Sequence, residues 1–319
     1  MKGGIGLQWI RNVTDSDING NRKSIGVIIV NYNAGKILAD CVTRIVPQVD
    51  GIVVVDNDSN DGSLTMLERA IPAGEIVKIV KQNSNLGFSV ACNVGIDLMK
   101  NDYLLFLNPD CLLDHDAVAI LVSSFDFDPH IGMVGGLLLN PDGSEQAGGR
   151  RAVPTPWRSF VRAFGLARFA NRWPRLFTDF YLHQQPLPKR PIEVEAISGA
   201  CMLVRRDALD DVGRWDEGYF LHCEDLDLCM RFRQKGWKVM FVPDARMTHI
   251  HGASSKGRRI FVEWHKHKGM LRFYHKFFRH QYPGVLMWLV TMGVWFRFGV
   301  IVVADAGHRV LRRLGLVRA

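Results

Sequence analysis

Ser24-Ile-Gly-Val-Ile-Ile-Val-Asn-Tyr-Asn33 sets the architecture of this 319-residue chain. Five β-branched residues lie in an unbroken apolar run that closes on three polar ones. That pattern predicts a strand buried on both faces, as in the interior of a parallel sheet. Helical spacing follows from Lys36 to Val46 and stops at Pro47. The alternation then recurs, with strands at Ile52–Val55, Ile76–Val80 and Tyr103–Leu107. The helices fall near Ser63–Ala70, Ser89–Met99 and Asp114–Ser123. Strand and helix turning over in this way mean βαβ units and a doubly wound, mostly parallel sheet. Ligands of such sheets bind beyond the carboxyl ends of the strands. Here those ends read Asn31-Tyr32-Asn33, Asp56-Asn57-Asp58 and Asn108-Pro109-Asp110, three polar clusters on one edge.

Composition narrows the function classes. Hydrophobic residues make up 47% and charged residues 23%, a globular balance that excludes a disordered or collagen-like chain. The net charge of +8 is unevenly spread. Residues 256–319 hold 13 Lys/Arg against 2 acids, whereas residues 1–255 hold 27 against 30. A slightly acidic body with a basic tail rules out a uniformly basic nucleic-acid binder; the tail is suited to an anionic surface. The six cysteines show no CxxC and no framework spacing, which fits buried, reduced thiols of a cytosolic compartment. Residues 1–23 form a polar tail without the pattern of a signal peptide.

After a strand at Ile131–Leu139 and a turn at Asn140-Pro141-Asp142-Gly143 the alternation breaks. Residues 146–178 contain seven arginines and no acid. Trp157, Phe160, Val161 and Phe164 recur there at helical spacing, with Phe169 and Trp173 beyond. This reads either as a basic aromatic helix lying on a membrane or as an arginine face over an ordinary core stripe. Strand character resumes at Val194–Val204, and a helix is expected from Glu224 to Gln234. Gly284–Ala304 is a 21-residue apolar stretch broken only by Arg297. At ~1.5 Å per residue it would reach about 31 Å, roughly a bilayer core. It could lie in the interface, span, or pack against protein; Arg297 is costly in lipid.

Several side chains have the chemistry of a site, each beside a plainer role. Asp110 can share a Mg²⁺ or Mn²⁺ with substrate phosphates, or simply cap a turn. Glu224-Asp225, with Asp227 behind, offers a general base, or acids that complement a helix dipole. His249 or His251, in Thr-His-Ile-His-Gly-Ala-Ser-Ser, could complete a metal site begun by a distant carboxylate. Asp56 could accept from a nucleobase N–H or a ribose hydroxyl, or close a turn. No GxGxxG, GxxxxGK[ST] or GxSxG occurs, which weighs against dinucleotide oxidoreductases, P-loop enzymes and serine hydrolases.

Taken in order, these segments resemble an inverting family 2 glycosyltransferase with the GT-A fold, in its rhamnosyltransferase-like branch. The resemblance covers roughly residues 25–280 and is carried by Val30-Asn-Tyr-Asn33, Val55-Asp-Asn-Asp-Ser-Asn-Asp-Gly-Ser63 and Asn85-Leu-Gly-Phe88. It continues through Asn108-Pro109-Asp110, Gly213-Arg-Trp-Asp-Glu-Gly-Tyr-Phe220, Glu224-Asp225 and His249. It implies a nucleoside diphosphate sugar donor held by Asn31, Tyr32, Asn33, Asp56, Asn85, Gly87 and Asn108. A divalent metal, Mg²⁺ or Mn²⁺, would sit on Asp110 and His249, and Asp225 of the Glu224-Asp225 pair would be the base. Asn108 stands where the family usually has the first acid of its DxD, so less charge faces the metal.

The resemblance further implies transfer of a sugar, with L-rhamnose from dTDP-rhamnose the branch-level expectation. The acceptor would be a lipid-linked or polysaccharide hydroxyl in cell-surface polysaccharide assembly, met at the inner leaflet of the cell membrane. On this reading residues 24–255 form the catalytic domain, with 24–125 its nucleotide half and 126–255 its acceptor half. Residues 256–319 form a helical membrane-associating segment. A nucleotidyltransferase would need a Gly-rich loop after the first strand, where only Lys36 follows Gly35. A non-catalytic sugar-nucleotide binding module at the membrane would have no use for Asp110, Glu224-Asp225 and His249 together. The donor sugar, its base, the acceptor linkage and the oligomeric state are left open by the residues.

Overall fold

The computed structural model describes residues 22–71, 76–170, 172–250 and 258–313. His251, most of the polar N-terminal tail and the last basic residue, Arg318, fall outside the described residues.

The first half follows the expected alternation. Strands β1 (Ile25–Asn31), β2 (Gly51–Asp56), β3 (Val77–Lys81) and β4 (Tyr103–Leu107) are all parallel, in the order β3-β2-β1-β4. Helices α1 (Lys36–Ile45), α2 (Ser63–Ala70) and α3 (Phe88–Leu98) connect them. The apolar run of β1 is buried along its whole length, as its composition requires. Helix α3 lies so close to β1 that a Cβ on Gly95 would stand 2.4 Å from Ile28 Cγ2, so only glycine fits that crossing.

The second half is mixed. Short strand β5 (Cys111–Leu113) and helix α4 (Ala117–Ser123) lead to β6 (Ile131–Leu139). Then come β7 (Arg150–Arg151), α5 (Pro156–Ala163), α6 (Pro174–Phe177), β8 (Ile192–Glu193), β9 (Ala196–Ile197), β10 (Cys201–Arg205) and α7 (Arg206–Val212). Helix α8 (Glu224–Gln234) and strand β11 (Lys238–His249) complete the body. Strand β10 inserts antiparallel between β4 and β6, and β11 runs parallel to β6 and antiparallel to β5. The single strand expected at Val194–Val204 is two pieces, β9 and β10, because Ser198-Gly199 turns the chain from the small β7–β9 sheet into the main one.

The arginine-rich stretch satisfies neither expectation in full. Arg150 pairs with Glu145, Arg151 with Asp225, Arg158 with Glu195 and Arg162 with Asp179, so these four charges are neutralised within the protein. The aromatic stripe, by contrast, is no core. Val161 is buried, but Trp157, Phe160 and Phe164 are 43%, 44% and 65% exposed.

Helices α9 (Arg259–Phe278) and α10 (Gly284–Arg313) follow the body and pack on each other through Trp264 against Trp295 and Phe298. Phe273, Tyr274, Phe277 and Phe278 of α9, with Met287 and Val294 of α10, join the same apolar core as β1, β4 and α8. The opposite side of α10 is open, with Val285, Trp288, Leu289, Met292, Phe296, Val300 and Val303 all exposed.

Candidate active site

The three strand ends meet as the alternation requires. Asn31 is fully buried, and its amide donates to Asp56 Oδ1 at 2.7 Å and to Ser63 Oγ at 2.9 Å. Asp56 Oδ2 accepts from the Ser59 backbone N–H at 3.1 Å. Asp56 therefore already has a partner on each oxygen and knits the ends of β1 and β2 together. Asn33 lies at φ 52, a left-handed conformation that asparagine tolerates, and its Oδ1 accepts from the Asn60 N–H at 2.9 Å. Arg258 donates to Tyr32 Oη at 2.7 Å.

Asn85 Oδ1 accepts from the Gly87 N–H at 3.0 Å. Gly87, at φ 90, stands against the acceptor-like segment: a Cβ there would lie 2.7 Å from the Phe220 carbonyl oxygen. The next residue, Phe88, donates its N–H to that oxygen at 2.9 Å. The loop at Asn85–Phe88 is thus tied to Gly213–Phe220, more than a hundred residues away.

Asp110 and His249 are in direct contact. Residue pairing between β11 and β5 places His249 opposite Cys111, and the Ile250 N–H donates to the Asp110 carbonyl at 2.9 Å. His249 Nε2 then lies 3.1 Å from Asp110 Oδ1, with both side chains buried. On its other face His249 Nδ1 is 2.7 Å from Gln146 Oε1. The Gln146 amide orientation is fixed, because its Nε2 donates to Asn140 Oδ1 at 3.1 Å and to the His249 carbonyl at 3.2 Å. Oε1 is therefore an acceptor, and Nδ1 carries the proton. That leaves Nε2 as the ring nitrogen turned toward Asp110 Oδ1, so an imidazole nitrogen and a carboxylate oxygen lie side by side, as a divalent cation would take them. The donor set fits a hard divalent ion. Among the described residues no cluster of three His, Cys, Asp or Glu forms, so such an ion would complete its shell with substrate oxygens or water.

Glu224-Asp225 opens α8 as expected. Asp225 Oδ2 accepts from Arg151 and from the Gly199 N–H at 3.1 Å, while Oδ1 accepts from the Leu226 N–H at 2.8 Å. Burial is the largest influence on Arg151 and works against its charge, but Asp225 together with Cys229, Tyr181 and Cys223 holds the guanidinium above its ordinary value. Glu224 differs. Its carboxyl is buried and one oxygen lacks a partner. Burial first, and the neighbouring Asp225 second, push it up to about 8.

The two centres are close along two routes. Asn108 donates its N–H to the Ala200 carbonyl at 2.9 Å, next to the Gly199 that binds Asp225, so the Asn108–Asp110 edge lies near Asp225. The segment Gln146–Arg151 holds His249 at one end and Asp225 at the other. Its five peptide units span at most ~18 Å, and a Gly149 N–H folded back on the Gln146 carbonyl at 3.2 Å shortens it. Asn31, Asn33, Asp56, Asn108, Asp110, Asp225 and His249 thus gather at one sheet edge. Gln146 and Arg151 were not singled out from sequence. The only signals were a glutamine after the Asn140–Gly143 turn and an arginine doublet that alternation sends to opposite faces of a strand. A surface groove of about 770 Å³ starts beside this segment at Val153 and runs past Trp157, Met230 and Arg233 to Tyr282.

A doubly wound sheet with carboxylates and a histidine at its strand ends is the arrangement of the GT-A fold. The Glycosyl transferase family 2 profile matches residues 26–213, and the chain belongs to that family. A second profile, Glycosyl transferase family group 2, matches residues 146–304. The chain is 29% identical over 246 residues to N-acetylglucosaminyl-diphospho-decaprenol L-rhamnosyltransferase of Mycobacterium tuberculosis, covering 73% of this chain and 77% of that one. It is 26% identical over 199 residues to rhamnosyltransferase WbbL of Escherichia coli, covering 56% and 67%. In structure it is similar to a mannosyltransferase of Pyrobaculum calidifontis solved with GDP-Man and Mn²⁺, with a TM-score of 0.55 and 15% identity over 90% of this chain and 76% of that one. GalNAc-T7 with UDP, GalNAc and Mn²⁺ gives a TM-score of 0.56 at 20% identity, over 73% of this chain and 45% of that one. The protein is a glycosyltransferase of the rhamnosyltransferase-like kind.

Proposed function

We propose that the protein transfers L-rhamnose from dTDP-rhamnose, with inversion, to a hydroxyl of a lipid-linked saccharide in cell-surface polysaccharide assembly. The observation that carries this reading is the convergence of the Asp110–His249 pair and the Arg151-held Asp225 on one sheet edge. The two similar rhamnosyltransferases support the sugar, and the decaprenol-linked substrate named for one of them supports the lipid acceptor.

In this mechanism Asn31, Tyr32, Asn33 and Asp56 bind the nucleoside, with Asn85, Gly87 and Asn108 closing the diphosphate side. Asp110 and His249 would hold a Mg²⁺ or Mn²⁺, which when bound would supply Lewis-acid stabilisation of the diphosphate leaving group. Asp225, paired with Arg151 and fixed by the Gly199 N–H, takes the proton of the acceptor hydroxyl as that oxygen attacks the anomeric carbon. Attack from the face opposite the leaving group inverts the configuration. Alignment and charge stabilisation supply most of the acceleration. The division of 24–255 into a nucleotide half, 24–125, and an acceptor half, 126–255, belongs to the same proposal.

The acceptor reaches the site from the membrane. The groove from Val153 to Tyr282 leads from the base-bearing region to the foot of α10 and carries Arg158, Arg175 and Arg233 beside apolar walls. We place the protein on the inner, anionic leaflet, with 256–319 as its docking segment.

The test is dTDP release from dTDP-rhamnose with a polyprenyl-diphospho-GlcNAc acceptor and Mg²⁺ or Mn²⁺, with the product anomer read by NMR. A general base contributes ~10²–10⁴-fold. Asp225→Asn is expected to lower kcat by about that factor and leave dTDP affinity unchanged. Asp110→Ala is expected to weaken dTDP binding and erase its metal dependence. Wild-type turnover by Asp225→Asn would overturn the assignment.

A further inference from the structure

We propose that Gln146 is the positioning residue of the metal-binding histidine: it sets which ring nitrogen of His249 is presented to the cation and holds the ring against Asp110. The inference rests on the metal reading of Asp110 and His249 given above and adds a residue to it. Gln146 is 3% exposed and held from every side. Its backbone N–H donates to the Leu138 carbonyl at 2.8 Å, fastening it to the end of β6. Its Nε2 is spent on two acceptors, Asn140 Oδ1 and the His249 carbonyl. A flipped amide would put an oxygen against both, so the side chain has one arrangement. In that arrangement Oε1, 2.7 Å from His249 Nδ1, can only accept.

The consequence for the imidazole is definite. With Nδ1 committed to Gln146 Oε1, Nε2 is the nitrogen that faces Asp110 Oδ1 and would be offered to a cation there. A hydrogen bond on the far nitrogen also raises the ligand strength of the near one and locks the ring plane. The contact at the His249 carbonyl adds a second point of attachment on the same residue, so Gln146 grips backbone and ring together. Because Gln146 begins the segment that ends in Arg151, the grip is also the anchor from which Asp225 is reached.

Partners of this kind typically contribute 10–100-fold to metal affinity. The experiment titrates Mn²⁺ into the full-length protein with dTDP present, reading free Mn²⁺ by EPR and ligand nitrogen by electron spin echo modulation. Gln146→Met keeps volume and removes both the acceptor and the donor. It is expected to weaken Mn²⁺ binding about 10–100-fold and to change the imidazole nitrogen modulation. Asn140→Ala frees the Gln146 amide without touching the histidine and is expected to act in the same direction by a smaller factor, which keeps the test open should Gln146→Met fold poorly. Purely structural packing would lower Tm while leaving the modulation of the folded protein intact. Mn²⁺ binding by a folded Gln146→Met within twofold of the parent, with unchanged modulation, would overturn the proposal while a His249→Ala control still loses affinity. Unchanged Mn²⁺ affinity in His249→Ala would instead overturn the metal site itself, and this inference with it.

Discussion

Glu224 and Asp225 are neighbours with opposite electrostatic fates. Asp225 faces a guanidinium and a backbone N–H; Glu224 faces burial and the Asp225 charge. Under the proposed mechanism the proton acceptor is Asp225, the member of the pair that is held by Arg151 and the Gly199 N–H. The same burial has a stability signature. With its pKa raised from 4.5 to about 8 in the fold, Glu224 keeps a proton that the unfolded chain releases. Stability from this group is therefore lost as pH rises between those values. Glu224→Gln is expected to raise Tm relative to wild type at pH 8 and to lose that advantage by pH 5. Thermal unfolding at three pH values checks it, and a pH-independent difference would refute it. At this scale the motif residues were legible. Asp110 and His249 stand 139 positions apart, yet each carries a recognisable local pattern. Gln146 and Arg151 carried none, because their importance comes from what other segments bring to them.

At the level of elements, local pattern was a good guide wherever one strand or helix could be judged alone. The apolar run of β1, the five-residue β4 and the acid-capped α8 all lie where their sequences put them. What periodicity does not encode is neighbour order. Nothing in Cys201–Arg205 says that it will run antiparallel between β4 and β6, and three-residue β5 is too short for any period to show. The arginine stretch misled for a related reason, since its compensating acids Glu145, Asp179, Glu195 and Asp225 lie outside it or at its far end. Helix α8 is joined to α9 by a buried charge cluster. Asp227, with a fully buried side chain, pairs with Arg231 at 2.6 Å and with Lys276 at 2.6 Å; Lys276 also reaches Asp216. Removing Asp227 takes away the partner that Arg231 and Lys276 share. Lys276 keeps Asp216 and Arg231 keeps the carbonyls of Val212, Gly213 and Arg214, so the loss is about 1–3 kcal/mol, below that of an isolated buried pair. Asp227→Ala should therefore show a loss of that order in denaturant unfolding. A loss below about 1 kcal/mol would mean water replaces the carboxylate.

The whole molecule presents one apolar, aromatic side to its surroundings. Helix α10 is long and apolar enough to cross a membrane, and its outer face is bare. Its inner face lies along α9, which carries Arg259, Lys266, Lys268, Arg272 and Lys276 and would be drawn into hydrocarbon if α10 spanned. An in-plane attachment suits this pair better, with the outer side of α10 immersed and the basic residues at the headgroups. Trp288→Asp with Phe296→Asp should release the protein from anionic vesicles while keeping Tm and dTDP affinity. Continued co-sedimentation would exclude that face. Removal of residues 283–319 is a blunter probe, since it also takes Met287 and Val294 out of the core. The cysteines ease such work. All six are buried and unpaired, and burial pushes every one of their thiols upward. A maleimide spin label offered to the native protein would find no ready native sulfur. A single cysteine engineered onto the outer side of α10 would then report immersion depth without a cysteine-free background having to be built first.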